Sequence, residues 1–274
     1  MSLNKLRLGL VALLALFPLL TLGAPKADLW AIWDQSNPTN NEVIDHTQWQ
    51  NFLHKYVVTD HPSEINLVRY ADVTDHDKGL LNNYVTELLR LEPRNLQKAE
   101  QFAYWVNLYN AATVLLILRE YPVSSITKLG SGFFSFGPWN DPIGKIAGNA
   151  ITLNDIEHRI LRPIWQDPRI HFAVNCASMG CPNLSAQAYT QSNSQELLEK
   201  STHAFIQHPR GVKLLDSELR LSSLFDWYLD DFADDRASLL QYLAQYLPNT
   251  KAQILGEQKL RITYAYDWAL NDAL

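Results

Sequence analysis

Apolar residues recur along this chain with two different periods, and the periods predict its elements. Trp49, Phe52, Leu53 and Tyr56 fall at i, i+3, i+4 and i+7, which gives a helix over 45–58 one apolar face. Leu80, Leu81, Tyr84, Val85, Leu88 and Leu89 do the same for a helix over 76–91. Pro93 and Asn95 open a third helix that runs to Arg119 and ends before Pro122. Phe102, Trp105, Val106, Leu108, Tyr109, Val114, Leu115 and Leu116 make it apolar almost all round, so it is expected at the centre of the fold. Asn154 is expected to cap a short helix through Leu161 that stops near Pro163. Further helices are expected over 194–207, 223–232 and 236–247.

Alternating positions predict strands. RIHFAVN at 169–175 reads as one, residues 65–71 as a short one and 259–265 as another. GVKLLDSELRLS at 211–222 reads as a hairpin turning near Asp216 and Ser217. Residues 25–41 read as a loose arm. Residues 128–150, with several Gly, two Pro and a Phe-rich stretch, read as a long loop over the core. The fold class expected is α+β, a helix-dominated single domain with a buried central helix and a small mixed or antiparallel sheet. Its parts are an N-terminal helical region over 25–94, a core domain over 95–210, and a hairpin with helices over 211–274 that complete the same globule.

Residues 1–24 stand apart. Lys5 and Arg7 precede an uncharged apolar run from Leu8 to Leu22, and Gly23 and Ala24 supply small residues for cleavage. This is the pattern of a secretory signal peptide, cut near Ala24. An uncleaved anchor is the competing reading, but Pro18 and Thr21 shorten a run already near the lower limit for a bilayer span. The address expected is periplasmic or secreted. Cleavage moves the formal charge from −6 to −8, because two basic residues and no acidic ones are lost. That modest negative charge argues against nucleic acid and anionic lipid as partners. No membrane span is expected after residue 24.

The chain has two cysteines, Cys176 and Cys181, in the turn-rich CASMGCPNL at 176–184. Three readings compete. An exported protein readily bonds such a pair. Cys176, where a predicted strand gives way to a loop, suits a nucleophile. Cys176, Cys181, His158 and His171 could also bind a metal, although the cysteine spacing is wide for a zinc hook and there is no second cysteine pair. In an extended strand His171 and Cys176 leave opposite faces, so His158 is the favoured base and His171 the weaker one. Asn107 and Asn110 lie on the central helix. The plainer reading has them tie loops to that helix, and the sharper one has Asn107 orient a catalytic imidazole. Asp226 and Asp230, one helical turn apart in FDWYLDDF, could pair for acid–base work; a solvated acidic face is the plainer reading.

YWVNLYNA (104–111), LNDIEHRIL (153–161), DPRIHFAVNCASMGCPNL (167–184) and LFDWYLDDF (224–232), in this order, resemble the domain of unknown function 547 family. The resemblance covers about residues 95–210, with the last motif beyond it, and departs at Tyr104, where the family has Phe. It implies that Asn107, Tyr109, Asn110, His158, His171, Cys176 and Cys181 belong to one shared structure. Plant relatives often lack the second cysteine and keep the first, which implies a role for Cys176 independent of a bond to Cys181.

The function expected first is therefore a thiol-dependent hydrolase or acyl transferase. Its catalytic candidates are Cys176, His158, His171 and Asn107, with backbone N–H groups of Ala177–Gly180 as an oxyanion hole and no cofactor or metal. Its partner would be a small molecule or peptide. The alternative is a non-catalytic binding module with a Cys176–Cys181 disulfide, presenting Phe133, Phe134, Phe136 and Trp139 to a protein partner. The metal site is third.

Overall fold

A computed structural model describes residues 25–132, 136–257 and 260–273. The predicted leader, Phe133 and Phe134 lie outside the described residues.

The central helix, α3 (Lys98–Glu120), forms where the all-round apolar pattern places it. Eighteen of its residues are buried, from Glu100 to Leu118. Each fully buried large apolar side chain contributes about 1.5–3 kcal/mol, so α3 is the main stabilising element. It is also the one described helix long and apolar enough to cross a membrane, and its burial explains that composition. Helix α2 (Asp75–Arg90) packs against it through Leu81, Tyr84, Val85 and Leu88, and α1 (Thr47–Tyr56) packs on α2 through its predicted face; Leu80, expected on the apolar side of α2, is exposed. The two-residue strands β1 (Val57–Val58) and β2 (Leu67–Val68) pair beside them. The arm at the N-terminus is not loose. Asp28 and Trp30 donate backbone hydrogen bonds to His158 and Arg159, and Trp33 is buried against Trp105.

Part of the loop expected over 128–150 is a hairpin, β3 (Pro142–Ile146) with β4 (Asn149–Thr152). Gly148 takes the left-handed turn position (φ 82°) that Gly allows without strain. The hairpin leads into a helical segment whose cap is Thr152 rather than Asn154. The Thr152 hydroxyl accepts from Asp155 N–H, and the Asp155 carboxylate accepts from the Thr152 backbone N–H. The segment is a π-helix (Asp155–Leu161) followed by α4 (Arg162–Trp165). It runs through Pro163 and ends at Gln166 in the left-handed conformation.

The largest correction concerns 169–175. There is no strand: Pro168–Phe172 is a short 3₁₀ turn capped by the Asp167 side chain. After α5 (Ser194–Gln207) come β5 (Val212–Leu214) and β6 (Glu218–Ser222), antiparallel as predicted. Four short helices follow: α6 (Leu224–Trp227), α7 (Leu229–Phe232), α8 (Arg236–Ala244) and α9 (Asn249–Glu257), the last unanticipated. Strand β7 (Arg261–Ala265) then pairs parallel with β6, making a small mixed sheet. Two cores adjoin. The larger surrounds α3, and the smaller gathers Phe172, Phe205, Phe225 and Phe232 with the C-terminal elements. The architecture is α+β.

Candidate active site

The site lies where the two cores meet. A cavity of about 430 Å³ is walled by Phe136, Trp139, Trp227, Tyr228, Tyr266 and Trp268. Cys176, Cys181, Glu157, His158 and His171 also line it, so the sequence-predicted sulfurs and imidazoles share one space. The part of the Phe-rich loop that is described, Phe136 and Trp139, forms a cavity wall by packing on Trp268.

Cys176 is positioned by a loop with little freedom. Asn175 is buried, donates from Nδ2 to the Pro182 carbonyl, and its backbone N–H is held by Asn110 Oδ1. Ala177 has φ 56°, an uncommon conformation for a residue with a Cβ, and its N–H is held by Asn175 Oδ1. Met179 and Gly180 donate to the carbonyls of Ala269 and Asp267, which ties the loop to the chain's last segment. A Cβ on Gly180 would meet the Asp267 nitrogen at 2.7 Å, so only Gly permits this approach. These contacts have a chemical consequence. The N–H groups of Ala177, Met179 and Gly180 are all taken, so these three do not serve the expected backbone oxyanion hole.

Three groups surround the Cys176 sulfur: Cys181 Sγ at 2.9 Å, Tyr266 OH at 3.0 Å and Ser178 Oγ at 3.3 Å. Burial pushes the thiol up, but these hydrogen bonds to its charged form prevail and hold it below its ordinary value. Cys181 moves the other way. Burial and then the neighbouring Cys176 sulfur raise its thiol well above the usual range. Tyr266 is likewise raised by burial and by the charge of the two sulfurs, so it stays protonated as a donor. The cysteines are free thiols, too far apart for the roughly 2.05 Å of a disulfide.

The imidazoles are arranged differently from the expectation. Because 169–175 is not extended, the argument that set His171 behind the strand does not hold. His171 Nε2 contacts Asp231 Oδ2 at 2.6 Å, its ring stacks on Tyr228 at 4.1 Å, and Nδ1 lies 3.7 Å from Glu157 Oε1. His171 is thus the imidazole oriented by a carboxylate. His158 Nδ1 instead accepts from Arg162 Nη1 at 3.0 Å, four residues on. Burial lowers its pKa to about 4, so the ring is neutral at pH 7. Among the described residues neither imidazole lies within hydrogen-bond distance of a sulfur. No group of three or more His, Cys, Asp or Glu among them is set to hold a metal, so the two thiols and two imidazoles do not converge as ligands.

Asn107 does not orient an imidazole. Its amide is saturated by the Tyr189 backbone, donating to the carbonyl at 2.7 Å and accepting from the N–H at 3.0 Å. Asn110 does the equivalent for Ala173 and Asn175. Both amides tie loop backbone to the central helix. Asp226 and Asp230 are exposed and separated by a break at Tyr228, so they do not pair.

Glu157, Asp231, Arg162 and Tyr266 belong to the site and are not singled out by the sequence. Glu157 is buried and accepts from Tyr109 OH at 3.0 Å. Burial opposes its charge, yet His158, His171 and Arg162 together hold its pKa at about 2. Asp231 is gripped by Arg162 through two hydrogen bonds of 2.5 and 3.0 Å as well as by His171. Despite burial, these partners keep it well below the carboxylate range. Arg162 also donates to the Pro25 carbonyl and covers the Tyr228 ring. A π-helical turn has one extra residue per hydrogen-bonded loop, here Arg162 N–H to the Glu157 carbonyl, and such turns recur at functional sites. Glu157, His158 and Arg162 all belong to that turn.

Residues 93–206 match the family described as "Protein of unknown function, DUF547". This segment belongs to the DUF547 family. The DUF547 segment carries α3, the π-helix, the Cys176 loop and α5. Asp231 and Tyr266 come from the chain beyond it. No curated protein and no solved structure matches the chain.

Proposed function

We propose that this protein is an exported, thiol-dependent hydrolase or acyl transferase with Cys176 as its nucleophile. The observation that carries the reading is the Cys176 sulfur, drawn toward its thiolate by Tyr266, Ser178 and Cys181 at the wall of an aromatic cavity. Cys176 attacks an acyl carbonyl, and the Tyr266 hydroxyl turns from the spent thiolate to the developing oxyanion. The carbonyl re-forms, its bond to the leaving oxygen or nitrogen breaks, the leaving group departs with a proton from solvent that His171 later replaces, and a thioester remains. Water, or an acceptor in the transferase case, then attacks the thioester. His171, set by Asp231 and flanked by Glu157, takes the attacking proton. The acid is released and the Cys176 thiolate returns. The aromatic walls suit the apolar part of a small acyl compound or peptide.

Hydrolysis of p-nitrophenyl esters of graded acyl length tests this reading. Wild-type protein is expected to turn over at least one ester with a burst of p-nitrophenol, and C176S none. Turnover in C176S equal to wild type removes the proposal. The address rests on the leader pattern at 1–24. Intact mass of protein from the periplasm is expected to show a chain beginning near Pro25, and an uncut chain would contradict it.

A further inference from the structure

The proposed acyl chemistry needs one sulfur, yet the site holds two in contact. We infer that Cys176 and Cys181 form a redox-active dithiol that exchanges with low-molecular-weight disulfides, Cys176 attacking and Cys181 resolving. The inference rests on Cys176 being a nucleophile, as in the reading above, and not on acyl transfer.

The two thiols are inequivalent in the way this division of labour requires. Both cysteines line the cavity, but Cys176 is partly exposed to it and Cys181 is only 4% exposed. An external disulfide therefore reaches the first sulfur more readily than the second. The attacking thiol should be the more ionised one, and that is Cys176. The resolving thiol must become nucleophilic after the first step. Part of what holds Cys181 protonated is the Cys176 sulfur itself. Once Cys176 is in a mixed disulfide it carries no charge, and that opposition disappears. Two groups are then in place for a Cys181 thiolate. The Cys176 backbone N–H points at Cys181 Sγ from 2.9 Å, and the half-buried Arg210 guanidinium interacts electrostatically with the same sulfur. Arg210 is itself fixed, donating to the Met179 carbonyl at 3.0 Å and to Asn183 Oδ1 at 2.6 Å.

The exchange balances without a further oxidant. Cys176 thiolate attacks one sulfur of R–S–S–R, forming Cys176–S–S–R and expelling RS⁻. Cys181 thiolate attacks Cys176 Sγ, forming the intramolecular disulfide and expelling the second RS⁻. The two protons given up by the protein thiols end on the two RSH. The protein is oxidised by two electrons and the small disulfide is reduced by two. In the oxidised state the nucleophile is masked, so the exchange also gates the acyl reaction.

Intact mass and peptide mapping of the reduced, folded protein after incubation with oxidised glutathione test the inference. Wild-type protein is expected to lose two hydrogens, release glutathione and retain no adduct. C181S and C181A are expected to hold one glutathione on Cys176, and C176S none. Two variants at Cys181 guard against misfolding in one, and the wild-type result needs no variant. A persistent adduct on wild type, or an adduct on Cys181 in C176S, overturns the inference. Ester turnover reports separately. Protein that hydrolyses esters but keeps the adduct defeats the dithiol alone, and protein that closes the disulfide without any ester turnover defeats the acyl reading alone.

Discussion

The Tyr266 hydroxyl lies 3.0 Å from the Cys176 sulfur, although the two residues are ninety positions apart. Burial keeps Tyr266 protonated, so it donates, and Ser178 Oγ, 3.1 Å from the same hydroxyl and 3.3 Å from the sulfur, gives its one proton to either of them in turn. A hydrogen bond to a charged group is worth about 1.5–3 kcal/mol. Y266F is therefore expected to lower kcat for ester hydrolysis by about ten- to a hundredfold, using about 1.4 kcal/mol per decade. KM should change little, because the ring stays in the cavity wall. A change in KM with kcat intact would place Tyr266 in binding instead.

The two imidazoles are expected to separate in kinetics. Proton transfer by a positioned side chain contributes about 10²–10⁴-fold. H171Q should lose kcat on that scale. H158Q should lose far less, because His158 Nδ1 is occupied by Arg162. The reverse order would restore His158 as the base. Asp231 couples both roles. D231N leaves the Arg162 cation, 7% exposed, without its carboxylate, and breaking a buried pair from one side costs about 3–5 kcal/mol. Chemical denaturation of D231N measures that cost.

Asn107 should matter to stability and not to chemistry. N107A strands the Tyr189 N–H and carbonyl in the core, and each buried group left unpaired costs about 1–3 kcal/mol. A loss of roughly 2–6 kcal/mol is expected from urea unfolding, summing those two groups. Folded N107A at low temperature should keep the wild-type pH profile of ester hydrolysis. A shifted profile would return Asn107 to the site.

Stability should fall on mild acidification. Burial lowers the pKa of both His46 and His158 to about 4, against an ordinary 6.5. Between those limits the unfolded chain binds more protons than the folded one, so stability rises with pH across the interval. It is fully present above about pH 6.5 and lost as pH drops toward 4. The urea midpoint followed from pH 7.5 to 4 is expected to decline, and H46N to flatten part of the slope. A midpoint flat over this range would show that neither ring is buried neutral.

Much of the fold is legible in the sequence and the site only partly so. Helices α1, α2, α3 and α5 announce themselves because each has a face, or in α3 a whole circumference, that must leave water. The misreading of 169–175 has a physical cause. Ile170 to Asn175 are all buried, so alternation of residue type there reflects no exposed and covered face. The Asp167–Pro168 pair, a 3₁₀ start, was the better signal. That reading is what favoured His158 over His171 as the candidate base. Glu157 and Arg162 were hidden because a π-turn register is not written in hydrophobic spacing. Asp231 was visible as one of three acids, but the break at Tyr228 that turns it inward was not.

The central claim is that Cys176 is an activated nucleophile, and its alkylation as a function of pH tests this most directly. Reduced, folded wild-type protein is reacted with iodoacetamide from pH 5 to 10, and the modified site is mapped by mass. The account predicts that Cys176 reacts first and that its rate is half-maximal below the roughly 8.5 of a free cysteine. In Y266F the midpoint should move upward. A Cys176 that titrates at or above 8.5, or stays unmodified while Cys181 reacts, contradicts the account.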